Sequence, residues 1–226
     1  MFLSRGRRFL FIHAPKTGGT SMALALESRA MADDILLGDT PKARRRRHRV
    51  QGVQTRGRLW KHSRLCDLEG LITPQEVEEL FIFTLVRHPL DRVASYYLWL
   101  QRQRFDHPAV HHARRLSFPE FIRAPLISES FRATPYGSYV RESSGREKCS
   151  KFIRLETFDI DADALWRHLG FQLTLPRANY TDPSVKNQLV YREEDRKFIA
   201  ELCAEDMERF NYGVFPGETA AIPPQY

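Results

Sequence analysis

The chain has 226 residues, 42% of them hydrophobic and 12% aromatic, which is enough apolar side chain for one sizeable core and a single domain over 1–226. Its three cysteines, Cys66, Cys149 and Cys203, are odd in number and form no C-x-x-C pair, which argues against a disulfide scaffold or a zinc site and suits a reducing, cytoplasmic compartment. The formal charge is +7, yet residues 40–66 carry ten Lys/Arg and no Asp or Glu, so the rest of the chain is mildly acidic.

The short apolar run Phe9–Ile12 after Ser4–Arg8 is too brief for a signal-peptide core. No apolar run reaches the 18 or so residues of a membrane-spanning helix. In chain order, Arg8 to His13 reads as a strand, followed by a glycine-rich turn and a helix over Thr20 to Ala32. Lys42 and the run Arg44-Arg45-Arg46-Arg47-His48-Arg49 would repel themselves in a helix, so a mobile basic loop is expected over about 40–58. That loop is open to three readings: a solvated surface, a contact for an anionic acceptor, or a contact for nucleic acid.

Thr73-Pro74-Gln75-Glu76 forms a capping box with proline at the first helical position and opens a short helix. Leu80 to Val86 lacks alternation, as a parallel strand covered on both faces does. Pro89 begins a helix through about Gln103, and Ser117-Phe118-Pro119-Glu120 marks another helix start. Lys151 to Leu155 reads as a third strand and Asp161 to Leu169 as a helix closed by Gly170. After a Pro-, Asn- and Thr-rich loop over Gln172 to Gln188, Arg192 to Phe210 reads as a long amphipathic helix. The alternation of strands and helices predicts a three-layer α/β fold with a central parallel sheet.

Two motifs carry chemistry. In Ala14-Pro15-Lys16-Thr17-Gly18-Gly19-Thr20-Ser21, glycines at a strand-to-helix turn let backbone N–H groups converge at a helix N-terminus. Lys16, Thr17, Thr20 and Ser21 add donors, and the whole describes a phosphate cradle. Lysine precedes the glycines here, whereas a Walker A loop places it after them, so an ATP or GTP site is disfavoured. A tight turn without any ligand is the alternative. In the second motif, Val86 to Tyr97, Arg87 stands at the carboxyl end of the buried strand, where open α/β sheets bind ligands. Ser95 lies eight residues on. A guanidinium and a nearby hydroxyl suit a second phosphate, and a sheet-edge ion pair is the alternative for Arg87.

Together these motifs resemble the 5′-phosphosulfate loop and 3′-phosphate site of sulfotransferases that use 3′-phosphoadenosine 5′-phosphosulfate (PAPS). The chain is similar above all to the carbohydrate sulfotransferase branch and its bacterial relatives. The likeness extends through Trp60-Lys61-His62-Ser63, Phe118 to Phe121, Phe152-Ile153-Arg154-Leu155-Glu156 and Phe210-Asn211-Tyr212-Gly213-Val214-Phe215, and it implies a P-loop-like fold. It further implies that Lys16, Thr17, Gly18, Gly19, Thr20 and Ser21 bind the 5′ side of PAPS. Arg87 and Ser95 would bind the 3′-phosphate, Lys186 would close over the nucleotide, a plain surface lysine being the alternative, and His62 would be the general base, a histidine that only orients the acceptor or caps the following turn being the alternative. The product would be PAP, the acceptor a hydroxylated carbohydrate, anionic if the basic loop contacts it, and no metal would be needed. The rival readings are a P-loop nucleotide kinase, whose Walker A spacing is absent, and a nucleic-acid-binding module resting on residues 42–64 alone. His107, His111 and His112 have i,i+4 spacing, but no carboxylate or cysteine accompanies them at ligand spacing.

Overall fold

A computed structural model describes residues 1–176, 178, 189 and 192–214. It comprises two compact units, one of residues 1–86 and 136–179, the other of residues 87–135 and 180–226.

The first unit contains a five-stranded sheet in the order β3-β1-β2-β4-β5, with β1 at Phe2–Ser4, β2 at Phe9–Ile12, β3 at Ile35–Leu36, β4 at Phe81–Val86 and β5 at Lys151–Arg154. The expected strands β2, β4 and β5 are parallel. β1 and β3 were not foreseen and run antiparallel, so the sheet is mixed. Runs of three and two residues are too short to show a period of two, and only the pairing of β1 with β2 and of β3 with β1 makes strands of them.

In β4 every residue but Phe81 is buried, as the unbroken apolar run requires of a strand covered on both faces. Phe11 and Phe83 pair in register and stack with centroids 5.1 Å apart. They share a core with Met22 and Leu26 of α1 (Gly19–Ser28), with Ala43 of α2 (Pro41–Arg46), and with Leu165 and Trp166. Thr73 caps α3 (Pro74–Glu79) through the expected reciprocal box.

The first part of the expected basic loop is helical: residues 41–46 form α2 and Arg47–Val50 continue as a 3-10 turn, while 51–58 hold no helix or strand. Self-repulsion is overcome because half of the cations are spent internally. The Lys42 ammonium donates to the Glu27 carbonyl, and Arg46 and Arg49 both donate to the Asp34 carbonyl, at 3.3 and 2.9 Å. The carboxylate of buried Glu27 accepts from the Thr40 hydroxyl and from the Ala43 N–H, which caps α2 from another helix. Arg44 and Arg45 fall in its last turn and Arg47 at its C-cap, where the helix dipole favours them.

The second unit is helical: α4 (Pro89–Gln101), α5 (Pro108–Arg115), α6 (Phe118–Arg123) and α7 (Pro125–Arg132). The expected Asp161–Leu169 helix of the first unit is found as α9 (Asp163–Leu169), preceded by a separate short helix, α8 (Phe158–Asp161), and Gly170 ends α9 at φ 76° as expected. The long C-terminal helix likewise divides at Cys203 into α10 (Glu193–Leu202) and α11 (Ala204–Arg209). In the second unit, Val93, Phe121, Ile122, Ile127 and Ile199 are fully or nearly fully buried in one core. Arg92 and Asp206, exposed by only 4% and 2%, face each other at 3.8 Å, and the Arg92 guanidinium also lies over Phe131.

Candidate active site

The Ala14–Ser21 segment leaves β2 and turns into α1 through two left-handed residues, Lys16 at φ 67° and Gly18 at φ 79°. Gly18 accepts that conformation freely, and Lys16 holds it at a cost of roughly 1–2 kcal/mol. A side chain at Gly18 would also meet Leu155 at 3.2 Å. Gly18 is the N-cap of α1, and no side chain caps the helix and no acidic residue lies in its first turn. Among the described residues, then, the N-cap offers the first N–H groups of the helix no side-chain acceptor, and no carboxylate in the first turn offsets the dipole there.

The hydroxyls of the loop are engaged differently from the expectation that each adds a donor. Thr17 is fully buried and its hydroxyl donates to the Ala14 carbonyl at 2.8 Å, which braces the turn. The Ser21 hydroxyl accepts from the Ala178 N–H at 3.2 Å, tying the start of α1 to the chain beyond β5. Lys16 and Thr20 are half-buried.

His62 lies in the same unit as this loop. Its Nδ1 is 2.7 Å from the His13 carbonyl, an oxygen that can only accept, so Nδ1 carries the proton and Nε2 keeps its lone pair. Its ring meets the His13 ring edge-on at 4.5 Å and the Trp60 ring at 5.0 Å. Burial, helped by the Lys61 ammonium and opposed by the bond to His13 and by Asp39, pushes the His62 imidazolium down to about 4. At neutral pH the ring is therefore an uncharged proton acceptor.

Lys61 donates to Asp39 at 2.7 Å. That bond, with Arg44 and Arg47 nearby, holds the Asp39 carboxyl below its ordinary range against the effect of burial. The exposed arginines of α2 and the turn after it thus act electrostatically on the pair beside His62. Arg44, Arg45, Arg47, His48, Arg56 and Arg58 are all exposed.

Arg87 and Ser95 belong to the second unit. Arg87 directly follows β4, and its guanidinium lies 3.9 Å from Asp91, too far for a hydrogen bond but close enough to share charge. Ser95 is half-buried in the second turn of α4. His88, between strand and helix, has both nitrogens occupied: Nδ1 accepts from the Leu90 N–H at 3.3 Å, and Nε2 donates to the Gly213 carbonyl at 2.8 Å. This role as helix cap was missed, although His-Pro at a helix start is a readable N-cap signal. The closing motif is explained with it. Asn211 takes φ 53° and ends α11 in a Schellman turn, Tyr212 N–H to Met207 carbonyl, which sets Tyr212 against His88 at 4.8 Å.

Lys186 lies outside the described residues. His107 caps α5 by accepting from Ala109, and His111 pairs with Asp106 at 2.7 Å. Among the described residues no group of three or more His, Cys, Asp or Glu could hold a metal ion, and no helix is long and apolar enough to cross a membrane.

Neither the curated proteins nor the solved structures contain a match to the chain. A family model described as "Sulfotransferase family" matches residues 1–213, a span that includes the Ala14–Ser21 loop, His62, Arg87 and the closing Asn211-Tyr212-Gly213 turn. The chain belongs to the sulfotransferase family.

Proposed function

We propose that the protein transfers the sulfuryl group of PAPS to a hydroxyl of an anionic carbohydrate acceptor and releases PAP, with no metal ion. The observation that carries this reading is the Ala14–Ser21 loop: a left-handed Gly18, an uncapped helix N-terminus and no carboxylate in the first turn suit the two negative charges of a phosphosulfate. PAPS supplies the activated S–O bond, which breaks at the bridging oxygen as a new S–O bond forms to the acceptor.

The chain's residues serve that exchange by positioning and charge. The backbone N–H groups of Gly19, Thr20 and Ser21 hold the 5′ end, and Thr17 and the Ser21 hydroxyl keep the loop in shape. Lys16 offsets the charge that develops on the bridging oxygen. His62 takes the acceptor's hydroxyl proton on Nε2. Arg87 and Ser95 are assigned to the 3′-phosphate on their motif, and Lys186 to covering the nucleotide. The exposed arginines of α2 meet the acceptor's anionic groups. Cys66, Cys149 and Cys203, none of them in a disulfide, suit a cytoplasmic location.

The test compares nucleotides and acceptors. PAP at about a hundred times its dissociation constant should stabilise the fold by about 2.7 kcal/mol, and AMP at the same concentration by far less. Equal thermal shifts would remove the 3′-phosphate assignment. Sulfur-35 transfer from labelled PAPS should appear on uronic-acid polysaccharides. If label appeared only on phenols or neutral sugars, the acceptor class would be wrong.

A further inference from the structure

His13 has no part in the chemistry just described, yet it touches both halves of it. Its side chain is 6% exposed and stacks on Phe11 with centroids 5.8 Å apart and planes 17° from parallel. On one edge it meets the His62 ring at 4.5 Å and 64°. On another it fills the space beside α1: a Cβ built at Gly19 would lie 2.0 Å from His13 Cδ2 and 2.2 Å from Nε2. Glycine is therefore required at position 19 by the His13 ring, since φ is not left-handed there. The backbone carbonyl of the same residue holds His62 Nδ1.

We infer that His13 is a positioning residue for His62: its ring, wedged between Gly19 and His62, fixes the imidazole plane and the Nδ1–H tautomer, so that the bare Nε2 keeps a set direction relative to the phosphate loop. This rests on the reading of His62 as the base. A carbonyl acceptor alone leaves the imidazole free to turn about its last torsion, which is broad for histidine. Trp60 closes one side of the ring at 5.0 Å but is itself 41% exposed, so the buried wall is His13. Burial, with the positive charges of Lys61 and Lys16 and the neighbouring His62, keeps His13 itself uncharged at neutral pH, and an uncharged ring can pack as a wall without repelling a protonated partner.

The experiment is ¹⁵N–¹H long-range correlation spectroscopy on the histidine rings, with the His62 signals assigned by their absence from His62→Asn. In the unsubstituted protein His62 should be a single neutral Nδ1–H tautomer at pH 7. A mixture of tautomers, or an Nε2–H form, overturns the inference before any variant is made. His13→Leu, which fills the volume without a ring, and His13→Asn, which is smaller and planar, should each give mixed His62 tautomers. Each should also lower kcat for sulfation of the best polysaccharide acceptor by roughly tenfold or more, with the KM for PAPS changed by less than about threefold. Either folded variant retaining one tautomer and normal turnover overturns it. Full activity of His62→Asn would instead remove the base assignment, and the tautomer result would still report whether His13 orients that ring.

Discussion

The Ala14–Ser21 loop and the Pro41–Val50 basic segment both look like anion sites in sequence, and the structure separates them. The loop has one lysine, and its capacity for an anion comes from backbone N–H groups, a left-handed Gly18 and an uncapped helix. The basic segment has six Lys/Arg, but Lys42, Arg46 and Arg49 are turned inward onto carbonyls of Glu27 and Asp34. Only the outward remainder can meet a partner. The number of charges says little about anion binding; what counts is whether a donor is already spent, and whether it is held rigidly where the charge will be.

If that contrast is right, the greatest losses follow from changes around the loop and His62. His62→Asn should lower kcat by roughly a hundredfold or more while PAP binding stays within about twofold. Near-normal turnover would move the base elsewhere, with Glu156 the next residue to test.

Acid should reveal the same region through stability. The His62 imidazolium is pushed down to about 4 in the folded chain, against about 6.5 when unfolded. Above pH 6.5 both states hold a neutral ring and the group contributes no pH dependence. Below it the unfolded chain takes up a proton that the folded chain refuses. Stability should therefore fall by about 3 kcal/mol between pH 6.5 and 4 on this account. Urea unfolding of the protein and of His62→Asn along this range checks it, since the variant should lack that part of the slope. The acid limb of kcat/KM should likewise fall near pH 4 rather than 6.5.

Gly19→Ala places a methyl where the His13 ring lies and should cost roughly 1–3 kcal/mol by overpacking, with weaker PAP binding. Unchanged stability by thermal melting would mean that the ring yields easily. The smallest effect belongs to the basic segment. Replacing exposed Arg44, Arg45 and Arg47 by Gln should leave the melting temperature and PAP affinity nearly unchanged. It should raise the acceptor KM by a few-fold and flatten its salt dependence. A loss confined to PAP would reverse the roles of the two segments.

The sequence by itself determined the pieces whose causes are local. Capping boxes at Thr73 and Ser117, proline starts at Pro74 and Pro89, the glycine stop at Gly170 and the buried run of β4 all depend on residues within a few positions of one another, and all were readable. So was the tight turn from strand to helix at Ala14–Ser21, because glycines there allow the left-handed backbone that it uses. Only tertiary structure could make strands of Phe2–Ser4 and Ile35–Leu36, or break the last helix at Cys203. It alone could turn a self-repelling arginine run into a helix, because Glu27, fourteen residues before Pro41, supplies the cap. The state of His62 was beyond sequence for the same reason. Its tautomer depends on the carbonyl and the ring of His13, 49 residues away, and its low proton affinity on burial, and neither leaves a mark in the residues beside it.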